Sequence, residues 1–167
     1  MPLLLRITRR AKWYKNPNVP WLPAGELQAD ALGDLNTKVN ELSVWYIDED
    51  RTNFERVISA LAAKRDVAAN FDYALIDSEE ISDLNLKMVQ TPGDSLDEEA
   101  NKSWHRDIRE LTASLLFELA RAIRAKGEID RIDWKDVGAW LGDSISDGKI
   151  DENQLKEGVR LKLQDLS

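Results

Sequence analysis

The chain has 167 residues, of which 43% are hydrophobic and 32% are charged, with a formal net charge of −8 at pH 7 and no cysteine. This length is enough for one globular domain with its own core, and the composition excludes a disordered or fibrous protein. The lack of cysteine excludes disulfides, thiolate metal sites and cysteine nucleophiles.

The first predicted element is a strand over residues 3–14, where apolar and polar side chains alternate. Residues 1–25 carry no acidic side chain, and their basic side chains are Arg6, Arg9, Arg10, Lys12 and Lys15. Interleaved with aromatic residues, such cations can contact the phosphates and bases of a nucleic acid. The alternative is a strand whose charged outer face protects a sheet edge or pairs with the acidic remainder of the chain.

The following segments predict a short helix near Leu27 and then a strand, a helix and a strand. Residues 42–48 are apolar on both sides, which is typical of a strand covered by helices on both faces. Thr52 and Glu55 have the spacing of a capping box, so a helix is expected to begin there. Residues 71–77 predict the next strand. Because a strand, a helix and a strand in this order form a right-handed crossover, we expect a parallel pair.

The C-terminal half is predicted to be helical. A turn at residues 90–96 separates it from the rest, and an apolar stripe that includes Trp104 predicts a long helix ending at Gly127. Two shorter helices are expected, the first after Asp133 with Val137 and Leu141 facing inward, the second after Asp151 with Val159 and Leu166 facing inward.

The predicted fold is therefore α/β or α+β, with a small parallel or mixed sheet of about three strands, flanking helices and a helical C-terminal part. The strand-helix part is expected over residues 1–90 and the helical part over residues 97–167, together in one compact domain.

Residues 143–154 resemble the calcium loop of the EF-hand family over these positions only. Ile145 and Gln154 stand where that loop needs ligand oxygens, so calcium binding is not predicted. We expect instead a connector between two helices, with Ile150 buried.

Both strands of the predicted parallel pair end in acidic residues, which are Asp48, Glu49 and Asp50 after the first and Asp77, Glu79 and Glu80 after the second. Open α/β sheets bind ligands at such carboxyl ends. Carboxylates there can hold Mg²⁺, and the metal ligands would then be Asp48, Asp50 and Asp77. Solvated strand ends, and acids that complement the dipole at helix N-termini, are the alternative.

The single histidine, His105, limits acid–base chemistry to one imidazole. On the predicted helix it shares a side with Arg109 and Thr112, which favours a solvated or boundary role over a catalytic one. No catalytic residue is therefore predicted.

The chain has six tryptophans, a residue type that is enriched both in cores and at the centres of protein interfaces. Trp104 and Trp134 are predicted to lie in the core. Trp21, in a proline-rich loop, and Trp140, off the inner stripe of its helix, are the candidates for exposed anchors.

These features favour a non-enzymatic protein-binding module, and no cofactor is expected. One concrete form is an inhibitor or immunity-type protein that masks the basic surface of a partner. The contacts would be made by Trp21, Trp140 and the acids at the strand ends. The first alternative is a Mg²⁺-dependent hydrolase or nuclease. The second is nucleic-acid binding through the basic strand, which the net acidity disfavours. No apolar run approaches membrane-spanning length and no signal peptide is recognisable, so a cytoplasmic protein without membrane contact is expected.

Overall fold

The computed structural model describes residues 1–14, 20–23 and 25–166. The strands are β1 (Leu3–Ile7), β2 (Leu42–Ile47), β3 (Phe71–Asp77), β4 (Lys87–Gln90), β5 (His105–Arg109) and β6 (Glu128–Ile132). The α-helices are α1 (Arg10–Trp13), α2 (Phe54–Ala63), α3 (Ser78–Asp83), α4 (Glu98–Ser103), α5 (Ala113–Lys126), α6 (Trp134–Ser146) and α7 (Glu157–Gln164). Two 3-10 segments lie at Ala29–Asp34 and Glu152–Gln154.

The six strands form one sheet in the order β4-β5-β2-β1-β3-β6, and every neighbouring pair is antiparallel. The prediction of a small parallel or mixed sheet of about three strands is therefore wrong, and the fold is α+β. The cause is the position of β1, whose Leu3 lies opposite Ile47 on one side and Asp77 on the other. Because β1 is antiparallel to both β2 and β3, these two strands run in the same direction, but they are not neighbours.

The strand predicted over residues 3–14 is also shorter than expected, because α1 follows β1 almost at once. Two backbone amides at this point bond to carboxylates rather than to a neighbouring strand. The Arg9 amide donates to Asp34 at 2.7 Å, and the Arg10 amide donates to Asp72 at 2.9 Å. These acids draw the chain out of the sheet and into a turn.

Helices cover both faces of the sheet. On one face the core includes Leu4, Val44 and Ala74, packed against residues of α3, α5 and the first 3-10 segment. Leu5 and Trp45 belong to the core on the other face, which is packed against α2, α4 and α6. The double burial predicted for the strand at residues 42–48 is confirmed. A third group of apolar residues packs α7 against α6 and α2.

The C-terminal part is not all helical, because it contributes β5 and β6 to the sheet. Trp104 and Ile108 have helical spacing, yet Trp104 ends α4 and Ile108 is a buried residue of β5. The long helix predicted across Trp104 is therefore wrong, and its helical portion begins only at Ala113. Its predicted end at Gly127 is confirmed, and β6 starts at the next residue.

The last helices follow the sequence pattern more closely. Val137 and Leu141 of α6 are fully buried, as is Val159 of α7. Ile150, in the connector between them, is 2% exposed as predicted, whereas Leu166 is 46% exposed instead of facing inward. None of the helices in the described part of the chain combines the length and apolar composition that a membrane crossing requires.

Candidate functional site: an acidic cleft between two helices

A cleft of about 420 Å³ opens between α2 and α6, and we call it the α2–α6 cleft. Its charged and aromatic walls comprise four carboxylates (Asp48, Glu55, Asp143, Asp147), two cations (Arg56, Lys149) and two tryptophans (Trp104, Trp140).

One wall is the outer face of α6. Trp140, Asp143 and Asp147 recur at spacings of three and four residues, so they lie along one side of the helix. The Trp140 ring is half-buried and meets the Phe54 ring edge to face, with centroids 6.3 Å apart. The same helix buries Val137 on its inner side. The tryptophan is therefore held by packing while part of its ring faces the cleft.

The opposite wall begins with a polar turn between β2 and α2. Buried Asn53 accepts a hydrogen bond from the Asp48 amide at 3.0 Å and donates one to the Tyr46 carbonyl at 3.0 Å. The Thr52 hydroxyl donates to the Asp48 carboxylate at 3.0 Å. The capping box predicted from Thr52 and Glu55 does not form, although α2 begins where expected. Instead, the turn fixes Asp48 in the lining of the cleft.

Arg56 lines the cleft and is held there by an ion pair. Its guanidinium donates two hydrogen bonds to Asp97, at 2.6 and 2.9 Å, and lies 5.2 Å from the centre of a Trp104 ring. Burial raises the pKa of Asp97, but the hydrogen bonds from Arg56 and from the Ala100 amide outweigh it and lower the pKa overall. Since Asp97 is 1% exposed, the pair is a fixed structural unit rather than a free cation.

The remaining charges leave the cleft negative. Lys149 bonds to Asp147 at 2.7 Å, and this contact lowers the pKa of Asp147. Glu55 and Asp143 are exposed, and their carboxylates have no hydrogen-bond or ion-pair partner among residues 1–14, 20–23 and 25–166. Two carboxylates beside Trp140 are thus free to accept a cation from another molecule.

Of the predicted partner contacts, the structure brings together Asp48 and Trp140 in this cleft. Trp21 is 75% exposed, as predicted, but it does not line the cleft. Glu49 instead binds the N-terminal amine at 2.5 Å, and Asp50 accepts the Thr52 amide at 3.3 Å.

The acids after β3 also have local partners. Asp77 caps α3 by accepting the Glu79 amide at 2.9 Å, and Glu80 binds Lys126 at 2.6 Å. Within the part of the chain that the structure describes, no three acidic or histidine side chains are grouped so that they could hold a metal ion. Magnesium binding by Asp48, Asp50 and Asp77 stays a prediction that this arrangement does not support.

The cations of the predicted basic strand are largely used inside the protein. Arg6 donates to the Asp34 carbonyl at 3.1 and 2.9 Å and to the Ser43 carbonyl at 2.8 Å, and burial lowers its pKa against the opposing effect of Asp34. The nearly buried Asp34 carboxylate also accepts hydrogen bonds from Lys12 and from the Trp13 indole.

The other basic residues are nearer the surface. The Arg10 guanidinium lies 3.8 Å from Asp130 and 5.6 Å from the centre of the Tyr14 ring. Arg9 is exposed, and Lys15 lies outside the described residues. Use of this segment as a nucleic-acid contact stays a prediction, with fewer free cations than the sequence suggested.

The environment of His105 differs from the prediction. It lies on β5 and is 6% exposed, so the prediction of a solvated or boundary histidine on a helix is wrong. Its Nδ1 lies 2.9 Å from the Thr91 hydroxyl, which donates to Asp107 at 2.7 Å, and its ring meets Trp45 edge to face at 5.1 Å. These contacts form a partly buried polar network beside the Trp45 ring.

Sequence reasoning missed Arg56, Asp97 and Asp143 as parts of the site. The spacing of Trp140 and Asp143 on one helix face was a usable signal, whereas nothing in the sequence pairs Arg56 with Asp97.

Comparisons of the chain with protein-family models, with curated proteins and with solved structures gave no match.

Proposed function

We propose that the protein is a non-enzymatic protein-binding module that masks a basic surface of a partner through the α2–α6 cleft. The observation that carries the proposal is the position of Glu55 and Asp143, two unpaired exposed carboxylates, on walls that also present Trp140. A lysine or arginine of the partner can meet these carboxylates while its stem or guanidinium packs on the indole.

The rigidity of the walls supports this proposal. Asp48 is fixed by Thr52 and Asn53, and Trp140 is fixed by packing on Phe54. A surface that is already ordered loses little conformational entropy on binding, and tryptophan residues commonly dominate the binding energy at interfaces. An inhibitor or immunity-type protein is the concrete form, because such a protein needs a preformed negative surface against a basic one.

The test is an affinity pull-down at low salt from cells that produce the protein. We expect the wild-type chain to retain a basic protein that is released at high salt, because exposed ion pairs are screened. Trp140→Ala should weaken the Kd by roughly 30-fold or more, and Glu55→Gln with Asp143→Asn by roughly 2- to 30-fold.

The matched control carries Glu157→Gln with Asp165→Asn, which removes two exposed acids at α7. It changes the net charge as much as the double substitution in the cleft and should retain the partner. Equal loss of binding in both variants would mean that only the total charge matters. Absence of any basic partner from the wild-type pull-down would refute the proposed function.

A further inference from the structure

Arginine and aromatic side chains alternate on a surface that the outer side of α5 shares with α1 and the residue after it. Phe117, Arg121 and Arg124 recur at spacings of four and three residues, so they lie along one side of α5. The Arg121 guanidinium lies 6.0 Å from the centre of the Phe117 ring. The guanidiniums of Arg124 and Arg10 lie 5.7 and 5.6 Å from the centre of the Tyr14 ring. We call these five residues the arginine–aromatic surface.

Both rings of this surface reach solvent. Tyr14 is 40% exposed and Phe117 is 41% exposed. The Tyr14 hydroxyl donates to the Ile129 carbonyl at 2.6 Å, which fixes the ring beside β6. The Phe117 ring is carried by a regular helix. The two rings are therefore held by the fold while a large part of each stays open to another molecule.

The hydrogen-bond donors of the three arginines are unused. Arg10 lies 3.8 Å from Asp130 and Arg121 lies 3.8 Å from Glu118, which is longer than a hydrogen bond. All four side chains are about half exposed, and such pairs contribute little. Among residues 1–14, 20–23 and 25–166, no guanidinium of this surface donates a hydrogen bond, and Arg124 has no acidic partner.

A depression of about 540 Å³ adjoins the surface, and Arg121 and Arg124 belong to its lining. Leu27 and Leu84 give it an apolar part, and Glu26 is one of its carboxylates. Its charge is therefore mixed. An uncharged group with a flat apolar face and a polar edge, such as a nucleobase, suits this lining, whereas an anion is attracted to the exposed arginines beside it.

The net acidity of the chain acts mainly elsewhere. Residues of α5 pack in the core on one face of the sheet, whereas α2 and α6, which form the acidic cleft, pack on the other face. A sheet and a helix of about 10 Å diameter separate the two surfaces. Since the Debye length is about 8 Å at physiological ionic strength, the charges of the cleft are screened at that distance.

We infer that the arginine–aromatic surface binds single-stranded nucleic acid. The guanidiniums meet the phosphates, since a guanidinium offers paired N–H donors that match phosphate oxygens. An unpaired base stacks on the Phe117 ring or enters the adjoining depression, and neither is open to a base inside a duplex. This site lies on the opposite face of the sheet from the α2–α6 cleft, so its failure would leave the proposed function intact.

The test measures fluorescence anisotropy at low salt with three labelled probes. They are an oligothymidylate of about 12 nucleotides, an abasic strand of the same length and an oligoglutamate peptide of similar charge. We expect the oligothymidylate to bind roughly fivefold or more tightly than the abasic strand, because only the former has bases to stack. It should exceed the peptide by at least as much.

Two sets of variants locate the site. Phe117→Ala should weaken oligothymidylate binding roughly 5- to 150-fold, and Phe117→Tyr should retain it. Leu161→Ala, at a 54% exposed position of α7, is the matched control and should have no effect. The urea midpoint of each variant is measured, so that a loss of folding is recognised.

Arg121→Gln with Arg124→Gln should reduce the salt dependence of binding. The slope of the logarithm of affinity against that of salt concentration should fall in magnitude by about 1.4, since each phosphate contact on a single strand contributes about 0.7. Lys156→Gln with Lys162→Gln removes the same charge from exposed positions of α7 and should leave the slope unchanged.

Several results would overturn the inference. No binding of the oligothymidylate at low salt would exclude the site. Equal affinity for the oligothymidylate and the abasic strand, or for the peptide, would show recognition of negative charge alone. Equal weakening by the α5 and α7 variants would place the contacts elsewhere.

Discussion

Replacing Arg56 by methionine should destabilise the protein by removing the cation that holds Asp97. The Asp97 carboxylate is 1% exposed and receives two hydrogen bonds from Arg56 and one from the Ala100 amide at 3.0 Å. Loss of one partner from a buried pair costs about 3–5 kcal/mol. Because the Arg56 side chain is 26% exposed, water can reach the carboxylate, and we expect about 2–3 kcal/mol.

The assay is urea unfolding monitored by tryptophan fluorescence, with Arg56→Met, Asp97→Asn and the double variant. Asp97→Asn keeps an oxygen that can accept from the Ala100 amide, so the cycle isolates the ion pair. We expect a coupling energy of about 2 kcal/mol. Lys162→Met, which breaks an exposed pair with Asp165, is the control and should cost less than about 0.5 kcal/mol. A coupling energy below about 0.5 kcal/mol would refute the reasoning.

The pH dependence checks the same pair. Burial raises the pKa of Asp97, but the hydrogen bonds of Arg56 and the backbone bring it below its ordinary value of 3.8 in the folded state. The ionised carboxylate therefore contributes stability above that value and loses it as the pH falls through the folded-state pKa. The unfolding free energies of the wild type and of Arg56→Met should converge below about pH 4. A difference that stays constant down to pH 2 would contradict this account.

Three further predictions concern stability and use the same urea assay. Asp34→Asn should cost about 1–3 kcal/mol, because the charged acceptor that gathers the N-terminal segment is lost, and an unchanged midpoint would contradict that role. Thr91→Val should cost about 1–3 kcal/mol by leaving Asp107 without its 2.7 Å donor, and Thr91→Ser should recover most of it. Gly142→Ala should stabilise α6 by about 0.5–1 kcal/mol, since an added Cβ meets nothing within 4 Å. Gly93→Ala should instead destabilise the protein, because its Cβ would lie 2.8 Å from the Trp45 ring. Equal changes in the unfolding free energy of the two variants would contradict this packing argument.

Local elements were predictable where a residue's neighbours along the chain determine its environment. The inward side of α6 was found from Val137 and Leu141, and the end of α5 from Gly127. The strand β5 was missed because Trp104 and Ile108 happen to have helical spacing. The prediction of the sheet was wrong because the paired strands are separated by long stretches of chain. Among the strands that the structure describes, no tight hairpin marks a pair in the sequence.

The candidate site was predictable only in part for the same reason. Asp48 and Trp140 were chosen for their residue type and their place at an element's end or outer face, and both lie in the cleft. Their proximity could not be predicted, since it depends on α6 packing against α2. The pairing of Arg56 with Asp97 likewise depends on tertiary contacts that carry no local sequence pattern.

The place of β1 in the middle of the sheet has a consequence for how the chain folds as it is synthesised. The strand is made before both of its partners, so Leu3 must wait for Ile47 on one side and for Asp77 on the other. Until then, both of its hydrogen-bonding edges are open to misplaced strands of other chains. Pairing over such sequence separations also slows folding. The nascent chain therefore passes through a stage at which one of the two middle strands of the sheet has both of its edges unprotected.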